Sequence, residues 1–284
     1  MGAIKEAALT RTERGNDPAD HRDQETYLDT LDTIPLEDEW SAFEMSDDEL
    51  NKMKDKNWIY PNLILEGHII VIPAPPNAGK TTVMMWVAGE IADSCEVIYV
   101  NADVGSSDVR EMVLFAKEKG FRMLTPDMKL GKSMADVITL LRHFNDTSTD
   151  LSGKVFILDT LKKAVDVINK SQAKNIMSLF RGLTAKGATV VLLAHTNKHK
   201  GIDGKHIFEG TGDIKSDVDE MIYFESQKNP DGSLVVSTLP DKVRHKFEPI
   251  TFEISADRQV TTSGYIDVKS MNEEQAQRKK DQAV

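Results

Sequence analysis

Val71-Ile72-Pro73-Ala74-Pro75-Pro76-Asn77-Ala78-Gly79-Lys80-Thr81-Thr82 is the stretch on which the fold turns. Ahead of it runs the apolar His68-Ile69-Ile70-Val71-Ile72. Behind it comes Thr82-Val83-Met84-Met85-Trp86-Val87-Ala88, long and apolar enough for a buried helix. A strand, a Pro/Gly-rich turn and a helix with lysine in its first turn make a phosphate-binding P-loop. The residue types follow from the chemistry. The binding set is Pro76, Asn77, Ala78, Gly79, Lys80, Thr81 and Thr82. Backbone N–H groups from Asn77 to Thr81 wrap a polyphosphate, and the helix N-terminus adds the positive end of its dipole. Lys80 reaches the β- and γ-phosphates, and the Thr81 hydroxyl ligates Mg²⁺. Ala74 replaces the motif's first glycine. A chance Gly-Lys-Thr on a loop is the competing reading, and the flanking strand and helix argue against it.

Composition narrows the classes. The 284 residues, 40% apolar, suffice for one large domain or two small ones. No uninterrupted apolar run approaches the ~18 residues of a membrane span. The start, Met1-Gly2-Ala3-Ile4-Lys5-Glu6, lacks the apolar stretch of a secretory signal. Cys95 is the single cysteine, so no disulfide framework is expected and a reducing cytoplasm is the natural compartment.

The net charge of −11 is unevenly spread. Residues 1–50 hold 15 acids and 4 bases, leaving 31 of each for the rest of the chain. Lys154–Lys205 carries ten Lys/Arg against Asp159, Asp166 and Asp203. That local excess is suited to a phosphate backbone, although a solvated basic face has the same composition.

Residues 1–55 read as an acidic, largely disordered arm, with a capping box at Ser46-Asp47-Asp48-Glu49 that predicts a short helix. From Trp58 the pattern is regular. Strands are predicted at His68–Ile72, Glu96–Val100, Val155–Leu158 and Thr189–Leu193. Between them lie helical periodicities over Ser106–Gly120 (Val109, Met112, Val113, Ala116), Ser133–Phe144 (Val137, Leu140, Leu141, Phe144) and Ser171–Gly187 (Ile176, Leu179, Phe180, Leu183). This alternation predicts an α/β fold, a mostly parallel twisted sheet flanked by helices. After Asp219 the pattern changes to strands at Met221–Phe224, Leu234–Thr238, Ile250–Ile254 and Val260–Thr262, the first two joined by the turn Asn229-Pro230-Asp231-Gly232. Antiparallel strands are therefore expected at the C-terminal end, followed by a polar, frayed tail over 269–284.

Three predicted strands end in candidate catalytic groups. Val155-Phe156-Ile157-Leu158-Asp159 places a carboxylate where it accepts hydrogen bonds from Mg²⁺-bound water, so Thr81 and Asp159 are the metal candidates. Ile98-Tyr99-Val100-Asn101-Ala102-Asp103 ends in a second carboxylate, placed to orient the attacking water or else to open the next turn. Val190–Ala194 leads into His195, either a γ-phosphate sensor or a histidine satisfied by nearby backbone. Lys198, Lys200 and Lys205, with Gly201 and Gly204, make a basic loop suited to tracking a phosphate backbone. Lys242 and Arg244 are two apart and share a side of an extended chain. They are either surface bases or an arginine finger reaching a neighbouring subunit's γ-phosphate.

Taken together, Trp58-Ile59-Tyr60, the Pro-Asn-Ala-Gly-Lys-Thr-Thr loop, Leu158-Asp159-Thr160-Leu161, Ala194-His195-Thr196-Asn197-Lys198, Glu209-Gly210-Thr211-Gly212-Asp213 and Lys242-Val243-Arg244 resemble the RecA/DnaB superfamily. The resemblance is nearest to the plasmid RepA-like hexameric helicases and spans about Trp58 to Ile266. It implies a RecA-type core over 56–268, ATP and Mg²⁺ as cofactors, hydrolysis between subunits of a homo-oligomeric ring (a hexamer), and DNA-facing loops. Asp103 stands where that family usually has a catalytic Glu. The expected catalytic set is Lys80, Asp103, His195, Lys242 and Arg244. The implied activity is that of a plasmid or phage replicative helicase in the cytoplasm, acting on single-stranded DNA and not on membranes, with the acidic arm available to a replication partner. A RecA-like annealing or recombination factor without unwinding is the alternative. A small-molecule kinase fits poorly, since no arginine-rich lid is visible.

Overall fold

The computed structural model describes residues 40–52, 57–103, 105–164, 168–197, 201, 206–210 and 212–281. The chain divides into two units, Met1–Asp55 and Lys56–Val284. In the first, a 3₁₀ turn at Ser41–Phe43 precedes helix α1, Asp47–Lys52. The Ser46 amide donates to Glu49 Oε2 at 2.7 Å and the Glu49 amide donates to Ser46 Oγ at 3.3 Å, the reciprocal capping the sequence predicts. The remainder of the proposed acidic arm lies outside the described residues.

The second unit is built on a nine-stranded sheet. In chain order its elements are β1 (Trp58–Tyr60), β2 (Ile64–Leu65), β3 (Ile69–Ala74), α2 (Lys80–Ile91), β4 (Glu96–Asn101), α3 (Ser106–Lys119), β5 (Arg122–Leu124), α4 (Met134–Thr147), β6 (Lys154–Asp159), α5 (Leu161–Ala164), α6 (Lys170–Ala185), β7 (Thr189–His195), α7 (Gly212–Asp217), β8 (Glu220–Lys228), β9 (Leu234–Lys242), β10 (Thr251–Ile254), β11 (Val260–Ser263) and α8 (Val268–Asp281). Strands β1 and β2 pair separately from the large sheet, whose order is β11-β10-β9-β8-β3-β7-β6-β4-β5. From β5 to β8 neighbouring strands are parallel, and β9 to β11 extend the sheet antiparallel.

The near-continuous apolar runs are explained by burial on both faces. Along β3, Ile69 and Val71 join one core layer while Ile70, Ile72 and Ala74 join the other. The same alternation divides Phe156 and Leu158 from Val155 and Ile157 on β6. Helices α4 and α6 cover the first layer through Val137, Leu141, Ile176, Phe180 and Leu183, and α2 covers the second through Val83, Met84 and Val87. The fold is thus the mostly parallel α/β architecture expected, with antiparallel strands at its C-terminal end. The β8–β9 hairpin turns at Asn229–Ser233, where Gly232 adopts φ +89°.

Two local expectations are corrected. Leu140 is 54% exposed, because the inward stripe of α4 runs Met134, Val137, Leu141 and leaves residue 140 to the side. Val268–Asp281 form a helix rather than a frayed tail. Asp267 caps it by accepting from the Ser270 amide and hydroxyl, the fully buried Val268 anchors it, and Asn272 Nδ2 donates to Ser226 O on β8. Among the described residues no helix is long and apolar enough to cross a membrane.

Candidate nucleotide-binding site

All the strand ends the sequence singles out lie on one edge of the sheet. Ala74 pairs in register with His195, and Asn101 with Asp159, while β7 separates β3 from β6. After Ala74 the chain turns through Asn77 (φ +61°) and Gly79 (φ +77°) into α2. A Cβ on Gly79 would sit 2.6 Å from Ile254 Cδ1 and 3.3 Å from Val236 Cγ2. Both the conformation and the approach of β9 and β10 therefore demand glycine.

Pro75 to Thr82, Asp103, Asp159, Thr160 and His195 line a cleft of about 330 Å³. Lys80 is buried, and its ammonium donates to Ala194 O at 2.9 Å. Burial lowers the Lys80 pKa, and the charges of Asp159 and Asp103 oppose that shift. Asp159 Oδ2 accepts from the Thr81 hydroxyl at 2.7 Å and from the Tyr99 hydroxyl at 2.9 Å. Burial pushes the Asp159 carboxyl up, against the pull of Thr81, Lys80 and Tyr99. Burial also drives the Tyr99 hydroxyl far above its ordinary value, so it remains a donor.

Asp103 is more exposed. Its carboxylate lies 3.6 Å from Lys163 Nζ and 3.9 Å from His195 Nε2. Its amide donates to Asn101 Oδ1, and Gly105, rather than Asp103, is the N-cap of α3. Burial, then the charges of Lys80 and Lys162, hold His195 below the ordinary imidazole value, which leaves the ring neutral at pH 7.

Beyond His195 the backbone pairs with a returning segment. The Asn197 amide donates to Ile207 O, the Glu209 amide donates to His195 O, and Thr196 bridges Phe208. Lys198, Lys200 and Lys205 lie outside the described residues.

Lys242 and Arg244 are not brought to this cleft. Lys242 pairs with Met221, which pairs with Val71, towards the start of β3 and away from the loop at its end. Its ammonium donates to the carbonyls of Lys215, Ser216 and Val218 at 2.6–2.8 Å, closing the end of α7. Arg244 Nη1 lies 3.3 Å from Asp219 Oδ1. The side chains do share one side, as their spacing requires.

Sequence reasoning missed Tyr99, Lys162 and Lys163. Tyr99 lay hidden in an apolar strand, where a tyrosine reads as core. The two lysines follow Asp159 by three and four residues, the spacing of one helical turn, which is a usable signal.

A lysine-bearing loop, a hydroxyl and a buried carboxylate at the carboxyl ends of parallel strands define a P-loop ATPase domain. The chain belongs to the AAA domain family, whose model (AAA_25) matches residues 39–201, more than half of its length. Among solved structures it is similar to the flagellar accessory protein FlaH from Methanocaldococcus jannaschii, at 16% identity and a TM-score of 0.48, over 78% of this chain and 98% of that one. No curated protein sequence matches.

Proposed function

We propose that this chain is a Mg²⁺-dependent ATPase that assembles into a hexameric ring and acts on single-stranded DNA as a plasmid or phage replicative helicase in the cytoplasm. The cleft suits a nucleoside triphosphate. Thr160 Oγ1 and His195 Nδ1 are buried without a protein partner, as groups awaiting phosphate or water are. Thr81 and Asp159 offer the hard oxygen donors magnesium takes, and no cluster of three or more His, Cys, Asp or Glu among the described residues makes an all-protein cage. Bound there with the phosphates, the metal would neutralise charge on the β- and γ-oxygens.

The protein groups have separable tasks. Lys80 would exchange Ala194 O for phosphate oxygens. Asp103 would orient or deprotonate a water, and the neutral His195 would donate to, or accept from, groups at the γ-position. Lys242 and Arg244, remote from their own loop, would serve a neighbour's site.

The observation carrying the reading is the pairing of both stems of the segment holding Lys198, Lys200 and Lys205 to His195–Asn197. His195 is thereby three residues from Lys198, the first lysine of that basic segment. Mass measurement with and without ATP and single-stranded DNA tests it. A closed ring with DNA-stimulated turnover supports a helicase, an open filament supports an annealing or recombination factor, and a monomer insensitive to DNA refutes both. Changing the three lysines to alanine should flatten the salt dependence of DNA binding while sparing basal hydrolysis.

A further inference from the structure

The second donor to Asp159 has no place in the roles assigned above. Tyr99 lies on β4 and its side chain is fully buried. Its ring packs on Phe121 with centroids 6.3 Å apart, and Phe121 in turn meets Phe115 of α3 edge-on at 6.2 Å. The ring therefore belongs to the core layer beneath α2 and α3, and its hydroxyl reaches from there to Asp159 Oδ2 at 2.9 Å. A tyrosine buried only for packing gains nothing over phenylalanine and carries a hydroxyl that must be satisfied. Here that hydroxyl meets the one carboxylate that faces the cleft from β6.

We propose that Tyr99 is a positioning residue for the divalent metal, fixing through Oδ2 the orientation of the Asp159 carboxylate that would hold the metal. The inference rests on the metal-dependent nucleotide site proposed above. The physical argument concerns what Asp159 retains when nucleotide arrives. Thr81 would then offer its hydroxyl oxygen to the metal, and its hold on Asp159 would be shared. Tyr99 does not line the cleft and its fully buried ring packs on Phe121, so its bond to Asp159 does not depend on the ligand. It keeps the carboxylate in one rotamer in both states. Partners that orient a metal's carboxylate contribute to affinity although they never touch the ion. Asp159 is also costly to bury as an anion, and a donor that is always present lowers that cost.

Tyr99→Phe tests this, because it removes one oxygen and preserves the ring. A fluorescent ADP analogue is titrated in EDTA and then at rising Mg²⁺, with Mn²⁺ binding to the nucleotide complex followed by electron paramagnetic resonance. The expected result is an unchanged affinity in EDTA and a metal midpoint raised on the order of ten- to a hundredfold. Phe121→Leu, which keeps the hydroxyl but loosens the ring, should move the midpoint the same way by less, and it serves if Tyr99→Phe does not fold. Midpoints unmoved in the folded variants overturn the proposal, as does an equal loss of nucleotide affinity with and without metal, which would mark Tyr99 as packing alone. If the unmodified chain shows no metal-dependent nucleotide binding, the nucleotide-site reading itself falls and takes this one with it.

Discussion

The Lys80 ammonium donates a 2.9 Å hydrogen bond to the backbone carbonyl of Ala194, the residue before His195. The P-loop lysine is thus docked on the strand that ends in the candidate sensor. Buried, it has a neutral partner that phosphate oxygens can outcompete. Lys80→Ala should lower turnover on the order of a hundredfold or more and weaken triphosphate binding. Hydrolysis at the normal rate in a steady-state phosphate-release assay would refute the site.

Gly79 should tolerate no side chain. At φ +77° an alanine carries left-handed strain of about 1–2 kcal/mol. Its methyl would also meet Ile254 Cδ1 at 2.6 Å. In an Ile254→Val background that atom is gone, so Gly79→Ala should cost less there than in the parent. A double-mutant cycle of thermal denaturation checks it. Equal penalties in both backgrounds would mean that β10 does not press on the loop.

Two buried aspartates should respond oppositely to pH and to neutralisation. The folded-state pKa of Asp159 is raised, chiefly by burial, so its contribution to stability is fully present below the unfolded value and is lost as pH rises through the folded one. Burial also pushes Asp219 up. Hydrogen bonds from Arg181 and the Ile69 amide and the Arg181 charge outweigh it, and the net shift is downward. Its contribution is present above the unfolded pKa and lost as pH falls through the folded one. Without nucleotide, Asp159→Asn should therefore hold or raise the melting temperature while abolishing metal-dependent binding. Asp219→Ala should cost about 2 kcal/mol, discounted for the partly exposed arginines. Destabilisation by both substitutions in calorimetry would contradict the assignment.

Asp103→Asn should retain ATP binding and ATP-driven assembly while slowing turnover on the order of a hundredfold, since the amide still hydrogen-bonds but is a poor base. Asp103→Glu should equal or exceed the parent, the longer side chain reaching further into the cleft. Single-turnover hydrolysis separates the two, and full activity in the Asn variant would reduce Asp103 to a partner for Lys163.

What the sequence made legible follows from which signals are local. The P-loop, the strand-end carboxylates and His195 come together because parallel strands in register bring their carboxyl ends to one edge, and each is marked by an apolar run beside it. The helix Val268–Asp281 was not legible. Its anchors include one buried valine and one asparagine that donates to Ser226 of β8, too few to make a periodicity. The role of Tyr99 depends on a cross-strand hydrogen bond to a residue sixty positions away. Leu140 was misplaced for a different reason, since a four-residue apolar set on a helix admits two stripes and only packing chooses between them.

Arg244 gives the most discriminating test, because it is proposed to act in another chain. It lies towards the opposite end of the sheet from its own loop and rests 3.3 Å from Asp219. Arg181 holds the same carboxylate at 2.8 Å, so Arg244→Ala leaves Asp219 paired and the fold close to intact. Nucleotide affinity should then be nearly unchanged and turnover reduced, since the lost charge matters chiefly in the transition state. Mixing Arg244→Ala with Lys80→Ala should restore part of the activity. In mixed assemblies an intact P-loop sometimes meets an intact Arg244, whereas neither variant alone forms a complete site. A monomer cannot show this rescue, and neither can a chain whose Arg244 serves only Asp219. Mixed oligomers verified by native mass spectrometry yet without regained turnover would sink the trans assignment and leave Arg244 as the second clasp on Asp219.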